Sequence, residues 1–411
     1  MKSNNTPQIA AKSKPLWHGV ILVAGGAVGA GMFALPFVSA GAWFYWAVIG
    51  LATVCLFTYL SALLLIEVNV RYPLGSSFDT LIRDSLGSLW ASVNNVSIGF
   101  IMFILMYAYI TAGAGILGSS VAHILPENQA VPKPVFSLIF ASIAGLSIWF
   151  GTTTVSRLST VLMVAMCGAF LTANSGLLGS LDVAALLASN TGELAYLWTA
   201  LPVFVTAFAC AGLVPSLASH YNNRADRTGL AVLLGLLLTM LVYVVWLGAT
   251  LGNISRTEFV DVAANGGGLS ALVLALQSDS STRLINASLT WFSHFAVITS
   301  FLSVGLGLVH FIADRFNFST SPLGRAQSVA LAFCPPLIAS IVAPYGFVSS
   351  IAYAGMFVAF SFFIVPALMY RKLALADSHI GHSRWMSVLV FGVLVIVLKL
   401  LTVIDWLPNY P

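Results

Sequence analysis

The chain is poor in charge. Lys, Arg, Asp and Glu make up 7% of its 411 residues, against roughly 25% in a soluble domain. Apolar residues fill the difference: 59% of the chain is hydrophobic and the mean hydropathy is +0.96. A chain of this length has no way to hide so much apolar surface from water, so its solvent is lipid. Cysteine is scarce as well. Cys55, Cys167, Cys210 and Cys334 all fall in apolar stretches without disulfide or metal spacing, which makes them free core thiols. No Gly-x-x-x-x-Gly-Lys-Ser/Thr loop occurs, which excludes an ATP-driven pump. No cluster of His, carboxylate and Cys sits in the apolar stretches, which argues against a membrane enzyme. The net charge of +4 is scattered, so no nucleic-acid partner is implied. The start, MKSNNTPQIAAKSKP, lacks a small-residue cleavage site, and residues 1–15 are expected to be a retained cytoplasmic tail.

A membrane span needs about 20 apolar residues. Eleven segments qualify: 16–39, 42–70, 88–122, 134–151, 156–179, 197–219, 228–252, 284–313, 326–343, 346–370 and 385–405. The longest, 88–122 and 284–313, imply tilted helices. The fold class is therefore an all-α integral membrane protein. With the N-terminus in the cytoplasm, the inside collects Lys2, Lys12, Lys14, Arg71, Arg83, Arg157, Arg224, Arg227, Arg315, Arg325, Arg371, Lys372 and Arg384. The outside collects Lys133, Arg256 and Arg283, with Lys399 left inside the last segment. That bias, 13 against 3, alternates loop by loop as the positive-inside rule requires and puts the C-terminus outside. Of the outer connections 180–196 and 253–283, the second has an apolar run after a Gly cluster and reads as a short helical lid.

Two spans carry helix breakers at their centres. The first contains Gly25, Gly26, Gly29, Gly31 and then Pro36. Each Gly disfavours a helix interior by about 1 kcal/mol and Pro by about 3, so an unwound stretch is expected around Ala27–Gly31. Close packing by small residues is the other reading. In the sixth segment Pro202 and Pro215 bracket Ala209-Cys210-Ala211-Gly212. If the first ten spans form two repeats of five, segments one and six correspond, and paired breaks point to a substrate site at the bilayer midplane. Freed amides at a half-helix N-terminus attract a carboxylate, and freed carbonyls can hold an ammonium group or a cation. A zwitterion suits such a site without buried charged side chains: the carboxylates within the spans are Glu67 and Asp314, both near cytoplasmic ends. A channel, by contrast, is expected to build a charged or carbonyl-lined filter by oligomerisation.

The chain resembles the bacterial hydroxy and aromatic amino acid permeases, most closely their tryptophan-specific branch. The motifs are GAVGAGMFALP at 26–36, GAWFYW at 41–46, GSSFDT at 75–80, YAYITA at 107–112, VPSL at 214–217, GNISRTEF at 252–259 and SFLSVGLGL at 300–308. The pairs Ala313-Asp314 and Pro335-Pro336, and YAG at 353–355, continue them in order. The resemblance implies a LeuT-type fold: repeats over 16–179 and 197–370, with the lid in the second, plus an extra helix at 385–405. It also implies proton-coupled uptake of tryptophan, tyrosine or phenylalanine across a bacterial inner membrane by alternating access, with no cofactor. It places the substrate on Gly26, Ala27, Gly29, Ala30, Gly31, Tyr107, Ile110, Phe208, Ala209, Cys210, Ala211 and Gly212, with one third-segment tyrosine closing over it.

Two departures bear on the driving ion. Where the family has Phe-Gly-Phe-His-Gly, this chain has Phe208-Ala209-Cys210-Ala211-Gly212; where the family's fifth helix carries a Lys, it has Met166. Sodium-coupled relatives bind Na+ on carbonyls that correspond to Gly25 and Val28 and on two eighth-helix hydroxyls, for which Thr299 and Ser300 are candidates. Oxygen-only ligation fits a hard cation; alternatively the hydroxyls bond back to their own helix. A second sodium site of those relatives needs an Asn where this chain has Met32. His294, an ionisable group inside the eighth segment, is either a proton carrier or a satisfied core histidine. His310 and Asp314, one turn apart, form either a gate pair or a solvated helix end.

Overall fold

The computed structural model describes residues 15–122, 131–188, 193–264, 268–277, 282–319, 321–376 and 383–408. Almost all of the N-terminal tail and the loop pieces 265–267 and 278–281 lie outside them. The described residues form α-helices joined by turns, with no strand. The first apolar segment is α1 (Leu16–Ala27), a 3-10 turn (Ala30–Phe33) and α2 (Ala34–Ser39), with the two halves bent by 49°. Next come α3 (Trp43–Asn69), the short α4 (Phe78–Leu86) and the long α5 (Ser88–Ala122). The fourth and fifth spans are α6 (Lys133–Trp149) and α7 (Thr152–Gly179), followed by a short α8 (Val183–Leu187). The sixth is α9 (Leu194–Ala207), a 3-10 turn (Ala211–Leu213) and α10 (Val214–His220), and the seventh is α11 (Ala225–Leu251). The connection after it holds α12 (Arg256–Ala264) and α13 (Leu269–Leu276). The remaining spans are α14 (Arg283–Phe316), α15 (Pro322–Val342), α16 (Phe347–Ala359) joined through a π turn (Phe360–Ile364) to α17 (Val365–Ala376), and α18 (Ser383–Val403).

Among the described residues nine spans, with α9–α10 and α16–α17 counted as one each, are long and apolar enough to cross a bilayer, and the bent α1–α2 pair makes ten. The eleventh expected segment is present as α6, an apolar helix of 17 residues. At about 1.5 Å per residue it falls a few ångströms short of a hydrocarbon core about 30 Å thick. Two features depart from the expected pattern. Gly151, at φ +98, makes a turn that starts α7 at Thr152 rather than 156. Helix α4 was not expected at all; Ser77 caps it by accepting from Thr80 N–H at 3.1 Å, Asp79 sits in its first turn, and Gly87 at φ +100 ends it.

The spans turn Leu56, Val96, Ile143, Val161, Leu241 and Val390 outward, a periphery suited to acyl chains rather than water. Polar contacts concentrate at the two ends of the bundle. On one end, the basic face, Tyr221 accepts from Gly19 N–H at 3.1 Å and donates to Leu16 O at 3.0 Å. There Asn223 donates to Tyr72 O at 3.1 Å, and Gly75 N–H donates to Ser219 at 3.1 Å. On the opposite, lid face, Asn253 donates to Leu177 O at 2.8 Å, and Arg256 pairs with Glu193 while stacking 4.6 Å from the Trp43 ring. Trp43 is held at φ 61, a left-handed backbone that is costly for a bulky residue, and its indole N–H donates to Ala185 O at 2.9 Å. Spans six and ten approach backbone to backbone: a Cβ on Gly355 would strike Pro202 O, and Thr206 donates to Ile351 O at 2.8 Å.

Helix α12 opens with a capping box. Ser255 donates from both N–H and Oγ to Glu258 Oε2, each at 2.7 Å, and accepts from Glu258 N–H at 3.3 Å. Those two donors hold the Glu258 carboxyl below its ordinary range. A depressed carboxylate stabilises the fold above its unfolded pKa, and that stability is lost as pH falls through the folded value. Hydrogen-exchange protection across 256–264, taken relative to the intrinsic rate at each pH, is therefore expected to fall on acidification below the ordinary Glu range. Glu258→Ala should show the fast exchange already at neutral pH.

Candidate functional site

Both expected breaks are present, and they meet at one side chain. Helix α1 ends at Ala27, Val28 turns to ψ 108, and Gly29 is fully extended at φ −170 before the 3-10 turn begins. Helix α9 ends at Ala207, and the chain restarts as a 3-10 turn only at Ala211. Ending a helix leaves its last carbonyls without partners, at the negative end of the dipole. Tyr243 of α11 serves both ends: its Oη lies 2.8 Å from Ala27 O and 2.8 Å from Ala207 O. A phenol has one proton, so it donates to one of these carbonyls at a time and the other keeps its lone pairs. The Tyr243 side chain is fully buried and its ring packs edge-on against Phe208, with centroids 5.2 Å apart. Cys210 and Tyr109 are its electrostatic neighbours.

The amides at the first break have their own partner. Ala30 N–H donates to Ser300 Oγ of α14 at 2.8 Å. Gly29 has an extended φ open to any residue, yet a Cβ there would come within 2.5 Å of Ser300 Oγ. A Cβ on Gly31 would meet nothing within 4 Å, so its α-carbon faces open space. Gly25 lies against Met163 of α7, 3.3 Å from a built Cβ, and Gly26 lies against Leu213 at 3.0 Å. At the second break a Cβ on Gly212 would lie 3.1 Å from the Phe362 ring. Phe362 belongs to the π turn, whose displaced carbonyl register is met by neighbouring spans: Ser61 donates to Phe362 O, and Ser97 pairs with Ser361 at 2.8 Å.

Phe33, Trp246 and Phe292 close the lid side of the first break, with Phe33 centred 5.4 Å from Trp246 and 5.0 Å from Phe292. All three side chains are fully buried, and the Trp246 indole N–H has no hydrogen-bond partner among the described residues. Gly26 and Gly212, on the parts leading to the basic face, are exposed. Aromatic rings thus cover the first break on its lid side.

The structure sorts the other candidates. Ala30, Phe208, Cys210 and Ala211 are buried at the breaks, with Ala209 partly so. Ile110 is fully buried in α5. Tyr107 departs from the expected position over the substrate: it donates to Ala343 O at 2.6 Å, in the connection before α16. Two residues on, helix rotation turns Tyr109 into the core, where it is buried. The Thr299 hydroxyl bonds back to Phe295 O at 2.8 Å, but a hydroxyl that donates to its helix keeps both lone pairs. The residue against Gly25 is Met163, one turn before Met166. His294 shares a hydrogen bond with Ser120 at 3.1 Å. His310 and Asp314 are both exposed and form no ion pair with each other, so the gate pair is not made. Met32 is fully buried. No group of three or more His, Cys, Asp or Glu able to hold a metal occurs among the described residues. Sequence reasoning missed Tyr243, Trp246 and the Ser61–Ser97 pair.

Two interrupted spans pinned at the core of an all-helical bundle define a multi-pass membrane transport protein. The sequence model of the tryptophan/tyrosine permease family matches residues 12–405, and the chain belongs to that family. It is a permease, not an enzyme. It is 37% identical to a tryptophan-specific transport protein of Haemophilus influenzae, over 98% of this chain and 99% of that one. It is also 37% identical to one of Pseudomonas aeruginosa, over 99% of this chain and the whole of that one. A tyrosine permease of Enterobacter agglomerans is 33% identical, over 88% of each chain.

Tyr243→Phe removes one hydrogen bond and leaves two buried carbonyls unserved, so a loss of about 1–3 kcal/mol in stability is expected. Thermal melting in detergent measures it, with tryptophan affinity as the companion readout. Gly29→Ala should destabilise the wild type more than it destabilises a Ser300→Ala background, because the clash is with Ser300 Oγ. Equal costs in the two backgrounds would remove that contact as the reason for the glycine.

Proposed function

We propose that the chain imports an aromatic amino acid, L-tryptophan first, across a bacterial inner membrane by alternating access. The observation that carries this reading is the Tyr243 hydroxyl between the ends of the two broken helices, with Ala27 O and Ala207 O each 2.8 Å away. Three oxygens and one proton make a place for an ammonium group. The amides that open the 3-10 turn, beside the open space at Gly31, take the carboxylate. The aromatic ring lies among Phe33, Phe208, Tyr109 and Trp246, whose unpartnered N–H is a further donor. The tryptophan-specific relatives support the choice of substrate, and the tyrosine permease favours tyrosine as the second reading.

In this reading the fold is LeuT-type, with inverted repeats at 16–179 and 197–370 and α18 as the extra helix. The charge bias puts the basic face and N-terminus in the cytoplasm, the lid face and C-terminus in the periplasm, and one chain is sufficient. No cofactor takes part; the driving ion is H+ or Na+. The family resemblance favours the proton, with His294 as its carrier. Sodium is favoured by Met163, an apolar residue at Gly25, by the lone pairs of Thr299, and by the one lone pair of Ser300 that Ala30 N–H leaves open.

Uptake of labelled tryptophan into proteoliposomes tests both parts. Saturable uptake that collapses without an ion gradient is expected, and uptake indifferent to every gradient would sink symport. At fixed pH, replacing choline by sodium should raise uptake if the ion is Na+; dependence on pH alone restores the proton. Gly31→Val should fold normally, given its open surroundings, and bind tryptophan at least tenfold more weakly, about 1.4 kcal/mol. Unchanged affinity would place the carboxylate elsewhere.

A further inference from the structure

A groove runs along the outside of the bundle between α6 and α15. Its volume is about 350 Å³. Gly145 and Trp149 line it from α6, and Val329, Phe333 and Leu337 line it from α15. Its floor is deep because Gly145 has no side chain: a Cβ there would lie 3.2 Å from the Phe333 ring. Its walls include Leu146, 58% exposed, and Ala330, also exposed, on helices whose outward surface meets lipid rather than water. An apolar groove at that depth is shaped for an acyl chain.

One end of the groove carries a charge. Arg325 lies four, eight and twelve residues before Val329, Phe333 and Leu337, on the same stripe of α15. Its Nη1 donates to Trp149 O at 3.3 Å, which fixes the guanidinium at the Trp149 end and occupies one of its five N–H donors. Arg325 is exposed and in no ion pair among the described residues. An indole at the same end suits the interfacial depth of a headgroup. A tail-shaped trough that ends at an Arg with free donors matches a lipid phosphate, which an Arg fork holds with paired hydrogen bonds.

We propose that the α6–α15 groove binds an anionic phospholipid, its phosphate on Arg325 and one acyl chain along Phe333 and Gly145. The occupant also presses on the transport machinery. The Phe333 ring lies 5.4 Å from that of Phe301, the residue after Ser300 on α14. Lipid in the groove thus backs the helix that holds the first break, whichever amino acid the breaks accept.

Native mass spectrometry of the full chain in detergent tests this with phosphatidylglycerol and phosphatidylcholine of identical acyl chains at equal concentration. Retention of phosphatidylglycerol over phosphatidylcholine by about five- to tenfold is expected for one well-placed Arg near the interface. Arg325→Gln should erase that preference. Ala330→Trp, which adds a ring to the exposed wall, should lower retention of both lipids. Both positions are exposed, so folding is expected to survive, and unshifted melting confirms it. Equal retention of the two lipids by the wild type, or a preference that survives Arg325→Gln, overturns the proposal. So does displacement of phosphatidylglycerol by millimolar inorganic phosphate, which makes the site one for a bare anion. Dimers in place of lipid-bound monomers, abolished by Ala330→Trp, assign the groove to a second copy of the chain instead.

Discussion

Backbone in a bilayer has no water to fall back on, and each break in a spanning helix must therefore find its hydrogen bonds inside the protein. The molecule depends on how it meets that demand. Two half-helices end at Ala27 and Ala207, and Tyr243 stands between their carbonyls. The amide of Ala30 goes to Ser300, and the π turn in the tenth span goes to Ser61 and Ser97. These pins reach the breaks from spans two, three, seven and eight, so the irregular backbone determines where its regular neighbours stand. Every one of these pins is a neutral hydroxyl, so the broken backbone is satisfied without a buried charge.

Local sequence carries the breaks themselves, because glycine and proline oppose helix wherever they cluster. The spans were legible for the same reason, being a matter of composition along a window. The pins were not. Tyr243 meets Ala27 across 216 residues, and nothing near either residue announces the other. The two tyrosines at 107 and 109 show a related limit. The sequence places them on different faces of α5, but only the packed bundle says that 109 is buried and 107 faces the connection before α16. Helix α4 went unseen because hydropathy finds spans and passes over a nine-residue surface helix, although Ser77, Asp79 and Gly87 are ordinary start and stop signals.

The glycines of the first span also differ in ways the sequence could not separate. Gly29 and Gly31 look alike as breakers of α1. Yet Gly29 is small because a neighbouring hydroxyl approaches it, and Gly31 because a space opens beside it. Met163 gives a further instance: it packs against Gly25 across roughly 140 positions of sequence, and nothing near either residue announces the contact.

The close approach of Gly355 to Pro202 has a mechanical consequence. Helices sheathed in side chains can slide over one another through changes of rotamer. Where two backbones touch, no rotamer remains to change, and Thr206 adds a hydrogen bond across the same seam. The lid-side half of the sixth span and the first half of the tenth therefore travel as one body. Motion in the sixth span falls on the stretch that neither helix claims, Phe208 to Cys210, and the π turn at Phe360–Ile364 is the matching joint in the tenth. Gly212, two residues past the first of these stretches, packs against Phe362 of the second.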